Sequence, residues 1–220
     1  VPAVAPPPAR PATCWPDHCF CEAPRLADGA GPLLQPANAL SSLGFAVVAA
    51  MVMRRARGAA DCGYASALLV VGAASFAYHA TLTFATQTAD VLGMYLLATW
   101  FLVATVARRR GWPSARAALV YGASNLLLLA GLILVPDARR YVFAALILTT
   151  VLTATPRERR ALVPALVALG ASFAIWTFDL LHWWCTPDSL LQGHALWHVG
   201  SVVAAWLAWE RFAAASDRET

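Results

Sequence analysis

Lysine is absent: all sixteen basic residues are arginine. A retinal-type pigment needs a lysine amine for its Schiff base, so the chain is not one. Charge of either sign is scarce. Only 13% of the 220 residues are charged, against 60% hydrophobic, and mean hydropathy is +0.60. Soluble domains carry about 25% charged and about 45–50% apolar residues. That deficit excludes an ordinary soluble enzyme, a disordered chain and a nucleic-acid binder. The net charge of +4 does not argue for nucleic acid, because the arginines lie between apolar segments. A recognisable signal peptide is also missing. Val1–Thr13 holds five of the fourteen prolines and no continuous apolar core, so it reads as an extended lead-in. The alanine-rich, lysine-free composition suits a GC-rich, bacterial genome.

What the chain does have is long apolar runs. A membrane-spanning helix needs about 20 mostly apolar residues, and seven segments qualify as candidates: 36–53, 62–84, 88–107, 115–135, 141–154, 162–184 and 193–212. The fifth is short and is expected to begin a few residues earlier. Short loops make consecutive helices antiparallel neighbours. The expected fold is an all-α membrane protein, a seven-helix bundle spanning 36–213, with an extracytoplasmic segment 1–35 and a cytoplasmic tail 214–220. Twelve arginines fall after the first, third, fifth and seventh segments, and four fall on the other side. The positive-inside rule then places the N-terminus outside and the C-terminus in the cytoplasm. Trp183, Trp184 and Trp209 fall at helix ends, where indole rings favour the interface. On this topology Cys14, Cys19, Cys21 and Cys185 share the outer, oxidising side, which permits one or two disulfides. A zinc knuckle from Cys14, His18, Cys19 and Cys21 is the rival, poorer reading. Cys62 stays a thiol.

Ionisable residues inside membrane segments are costly and mark function. Ser75 and His79 lie one turn apart on the second segment, and His194 and His198 one turn apart on the seventh. Asp90 opens the third segment, and the sixth carries Asp179 and His182. The alternating helix direction brings His79, Asp90, His194 and His198 to one depth in the outer leaflet. Three imidazoles with a fourth position open is the donor pattern of catalytic zinc. Taken singly, each histidine also has a structural reading as a hydrogen-bonding partner between helices. Two other classes compete: a metal-stapled receptor or scaffold without turnover, and a haem-binding redox protein that would use His182 as well.

The pattern Ser75-x-x-x-His79-x-Thr81-Leu82, Gln87, Asp90 and Met94, with His194-Ala195-x-Trp197-His198, resembles the alkaline ceramidases. Cys21-Glu22 and the stretch 35–42 resemble the same family's N-terminal region and first helix. Its wider superfamily includes the adiponectin and progestin receptors and membrane GPI-remodelling proteins. The resemblance implies a zinc-dependent amidase that cleaves the amide of ceramide or a similar N-acyl membrane lipid into a sphingoid base and a fatty acid. It implies zinc ligands His79, His194 and His198, catalytic Asp90 and Ser75, and a disulfide between Cys21 and Cys185. Localisation in a bacterial inner membrane, with the site toward the extracytoplasmic face, follows from the same reading. Eukaryotic members carry an acidic calcium-binding cluster around the first helix. Here Glu22 survives with Asp17 nearby, and Gln35 stands where an acid is expected. Calcium takes about six to eight oxygen ligands, so a high-affinity calcium site is not expected. Val91 and Gly93 also depart from the family pattern.

Overall fold

The computed structural model describes residues 11–13, 20–25 and 33–216, the last four of these by backbone alone. Cys14, His18 and Cys19, and with them the second disulfide and the zinc knuckle, lie outside the described residues. Among the described residues the chain is helical, apart from one isolated bridge between Pro11 and Thr83. In chain order the helices are α1 (Pro36–Ser42), α2 (Gly44–Arg55), α3 (Ala59–Thr81), α4 (Phe84–Arg110), α5 (Ser114–Leu134), α6 (Arg139–Thr153), α7 (Pro156–Leu180) and α8 (Gly193–Ser216). Among the described residues, five stretches are long and apolar enough to cross a membrane, with α1 and α2 together counting as one. At 15 residues α6 is too short to be counted among them.

Several boundaries differ from expectation, each for a local reason. The first segment is not one helix. Ser41 and Ser42 both turn their hydroxyls back onto the Asn38 carbonyl, at 2.9 Å each. Back-bonding of this kind bends helices, and Gly44 follows after the single turn residue Leu43. The second segment ends at Thr81 rather than Phe84, because Leu82 adopts a left-handed conformation (φ 48°). Thr83 then caps α4, its Oγ1 accepting from the Thr86 N–H. The sixth segment starts six residues earlier than expected. A capping box of Thr155 and Glu158, with Pro156 in the first turn, nucleates α7 inside a charged stretch that reads as loop. It also ends earlier, at Leu180. His182 (φ 54°), Trp183 and Trp184 therefore lie in the turn beyond the helix. The last helix continues past Phe212 to Ser216.

α3 sits at the centre, packed on α1, α2 and α4. α8 packs on α7 and on α1 and α2. Consecutive helices are not all neighbours: α6 makes its main contacts with α4 rather than with α5 or α7. The Tyr95 hydroxyl ties α4 to the start of α6 by donating to the Arg139 carbonyl at 3.0 Å. Phe45, Val48, Val52, Tyr64, Leu68, Val71 and Trp209 form the largest buried apolar cluster, between α2, α3 and α8. The outer faces of α5, α6 and α7 expose Leu119, Leu126, Leu127, Leu134, Leu148, Leu152 and Val167. In water such a surface would be an aggregation liability; it is the surface that a bilayer solvates. At one end of the bundle Arg108 pairs with Glu158, and Arg55 lies 4.0 Å from Glu210.

Close α7–α8 packing depends on glycine. A Cβ at Gly200 would come 1.8 Å from Ser172 Oγ and 2.9 Å from its Cβ. Small residues at membrane-helix interfaces permit this approach. Gly200→Ala is expected to cost about 1–3 kcal/mol through overpacking, read as a lower thermal unfolding midpoint in detergent.

Candidate metal centre and active site

The end of the bundle opposite the Arg108–Glu158 pair gathers the polar residues. The C-terminal turn of α3 supplies His79, with Ser75 one turn earlier. The first two turns of α4 supply Asp90, and the first two turns of α8 supply His194 and His198. All three histidines are buried. One ring nitrogen from each lies within 4.8 Å of the others, a group able to hold a metal ion. His79 Nε2 and His194 Nε2 face each other at 3.1 Å, and Ser75 Oγ stands 3.3 Å from His198 Nε2. Two nitrogen lone pairs this close need either a proton or a cation between them, so the donor set fits a metal. His182 lies apart from this group, beyond the end of α7. Asp90 is half-buried and within hydrogen-bonding reach of the Ser75 hydroxyl. It is not one of the three grouped donors.

Residues the motif left unexplained turn out to hold residues 11–13 and 20–25 over this end. Gln87 Oε1 accepts from Thr13 N–H at 3.0 Å and from its hydroxyl at 3.1 Å, while Gln87 Nε2 donates to Tyr78 at 3.2 Å. The Ala12 N–H donates to the carbonyl of Leu82. Phe20 stacks on the His194 ring, with centroids 3.7 Å apart. Cys21 and Cys185 form a disulfide, the pairing that the resemblance implied. The Cys21 N–H donates to Asp179 Oδ2 at 3.1 Å, which gives the buried acid of α7 a partner. Gln192 donates to carbonyls of Thr186 and Ser189, fixing the loop that carries Cys185 just before α8.

Glu22 turns its carboxylate onto the start of α1. Its two carboxylate oxygens accept from the N–H groups of Ala37 and Asn38 at 2.7 and 2.9 Å, capping α1. Burial pushes this carboxyl above its usual range, and those same N–H groups pull it back. Gln35 and Ser41 touch the histidines directly and were not singled out as site residues from sequence. Sequence marks Gln35 only as standing where an acid is expected, and Ser41 only by its place in the stretch 35–42, because neither is ionisable.

The sequence profile of the Ceramidase family matches residues 35–216. The chain belongs to the ceramidase family. The match covers all eight helices of this ceramidase-family chain and each of Ser75, His79, Asp90, His194 and His198. No curated protein matches the chain. Loss of the Cys21–Cys185 bridge, by the double serine variant, is expected to cost this family member about 2–5 kcal/mol. The check is a lowered unfolding midpoint relative to wild type under non-reducing conditions.

Proposed function

We propose that this protein is a zinc-dependent intramembrane amidase that hydrolyses ceramide, or a closely similar N-acyl lipid, to a sphingoid base and a free fatty acid. The observation that carries the reading is the convergence of three buried imidazoles beside a carboxylate and a hydroxyl, within a chain of the ceramidase family. His79, His194 and His198 would hold the ion. Borderline-soft nitrogen donors suit zinc, and three protein ligands leave the open position of a catalytic site. Bound there, zinc supplies Lewis acidity and makes water acidic near neutral pH.

The chain's own groups then have distinct tasks. Asp90 takes the proton from the attacking water as the new C–O bond forms at the amide carbon. Ser75, on the same side, donates its hydroxyl to the developing oxyanion. Asp90 returns the proton to the leaving nitrogen as the C–N bond breaks, so one carboxylate serves as base and then acid. The products are one carboxylic acid and one amine, and no redox partner is required. With the arginine-rich end placed in the cytoplasm, the site lies in the outer leaflet. There the amide of a ceramide sits just below the headgroups, with its chains available to the apolar bundle. A bacterial inner membrane is the setting this topology suits.

The test is reconstitution of the purified chain into phosphatidylcholine vesicles containing ceramide. Equal amounts of sphingoid base and fatty acid are expected to appear. A metal-bearing protein that releases neither from ceramide would instead support a metal-stapled receptor or scaffold.

A further inference from the structure

The tautomers of two candidate ligands are written into hydrogen bonds from α1 and the residue before it. The side chain of Gln35 is buried and offers both a donor and an acceptor. Its amide nitrogen can only donate, and it meets the carbonyl oxygen of Glu22 at 2.8 Å. A carbonyl can only accept, so this contact settles which way the amide points. Its oxygen, Oε1, therefore faces His79 Nδ1, at 2.8 Å. An amide oxygen accepts only, so the proton of a neutral His79 sits on Nδ1. The lone pair is left on Nε2, the atom that faces His194.

The same logic applies to His198 through a different residue. Ser41 has one hydroxyl proton, and the Asn38 carbonyl, 2.9 Å away, takes it. Ser41 Oγ is then an acceptor toward His198 Nδ1 at 2.8 Å. With the Ser41 proton so placed, a neutral His198 carries its proton on Nδ1 and its lone pair on Nε2; Ser42 Oγ stands behind, 3.4 Å from the same nitrogen. The third ring is held otherwise: His194 Nδ1 is buried with no hydrogen-bond partner among the described residues, and the ring is steadied by stacking on Phe20.

Gln35 is free to do this because it does not cap its own helix. It stands at the N-cap position of α1 with no side-chain capping bond, and the Glu22 carboxylate takes the two N–H groups instead. The Gln35 N–H also donates to the His79 carbonyl at 2.9 Å, so backbone and side chain grip the same residue. The bend that Ser41 and Ser42 put into the first span, at Leu43, belongs to the same cluster, since the bond bending α1 is also the one that commits the Ser41 proton.

We propose that Gln35 and Ser41 are positioning residues that fix His79 and His198 as Nδ1–H tautomers, so that both present Nε2 to one metal ion. This rests on the metal-site reading above. Partners of the non-ligating imidazole nitrogen orient ligands of this kind, and their loss costs about 10–100-fold in metal affinity.

The experiment is Zn2+ titration of the metal-stripped full-length protein against a chromophoric competitor, with thermal unfolding of each metal-free variant as the fold control. Gln35→Leu and Ser41→Ala are each expected to weaken Zn2+ binding by about 10–100-fold. Gln35→Glu keeps an acceptor toward His79 but loses the donor to the Glu22 carbonyl, and is expected to restore part of the loss. Side-chain nitrogen NMR of the metal-free wild type is expected to show protonated Nδ1 on His79 and His198, with the His79 signal altered in Gln35→Leu. If Gln35→Leu does not fold, Ser41→Ala carries the test on an independent ring. Unchanged affinity in both variants, or protonated Nε2 on either ring, overturns the proposal and leaves the metal site standing. A wild type with no histidine-dependent Zn2+ binding overturns the metal site itself, and this proposal with it.

Discussion

Replacing Asp90 by asparagine is expected to lower amide hydrolysis by about 100- to 10,000-fold, the usual contribution of a positioned acid–base group, with metal content and unfolding midpoint unchanged. Asparagine matches the shape of aspartate and keeps a carbonyl oxygen toward Ser75, so packing around α4 has no reason to change. It cannot accept a proton from water. Asp90 is half-buried and stands beside the Ser75 hydroxyl. It is also outside the group of three grouped nitrogens, so its loss leaves the donor set intact. The check is turnover of vesicle-borne ceramide, with zinc per chain measured on the same preparation. Full activity in the variant would remove Asp90 as the base. Loss of metal along with activity would make it part of the metal's shell instead.

The second large effect is expected from the histidines. His198→Ala should bring hydrolysis down to background and release the metal, because two imidazoles no longer fill the three-ligand pattern of a catalytic zinc site. It should also lose the stabilisation that a bound ligand confers on the folded state, about 4 kcal/mol when the metal stands at a thousandfold its dissociation constant. The measurement is the unfolding midpoint with and without added Zn2+: raised by zinc in wild type, insensitive to it in the variant. Ser41→Ala and Gln35→Leu should fall between the two, retaining the response at higher zinc.

The convergence of the three histidines was more legible in the sequence than the helix ends were. Ionisable residues in apolar runs stand out because burying them is costly, and alternating helix direction is enough to bring His79, Asp90, His194 and His198 to one level. The supporting residues carry no such signal. Gln35, Ser41 and Ser42 are uncharged and common, and their importance comes from hydrogen bonds that exist only once α1 lies beside α3 and α8. The break in the first span was equally hidden, because hydropathy does not register two serine hydroxyls turned onto one carbonyl. At the start of α7 the charged run Arg157–Arg160 reads as loop by hydropathy, yet a capping box makes it helix. Beyond its end, the apolar Trp183 and Trp184 read as helix, yet they follow the left-handed His182 and lie exposed. Asp179 was visible as a buried acid, but its partner, the Cys21 backbone, comes from a segment whose path composition does not reveal.

The most direct test of the whole account is a paired measurement on one purified sample: zinc atoms per chain, and ceramide turnover, before chelation, after chelation and after zinc is restored. One zinc per chain is expected, with turnover abolished by its removal and recovered on its return. Undiminished ceramide hydrolysis by a zinc-free protein would contradict the account, because the three converging imidazoles would then have no part in the reaction.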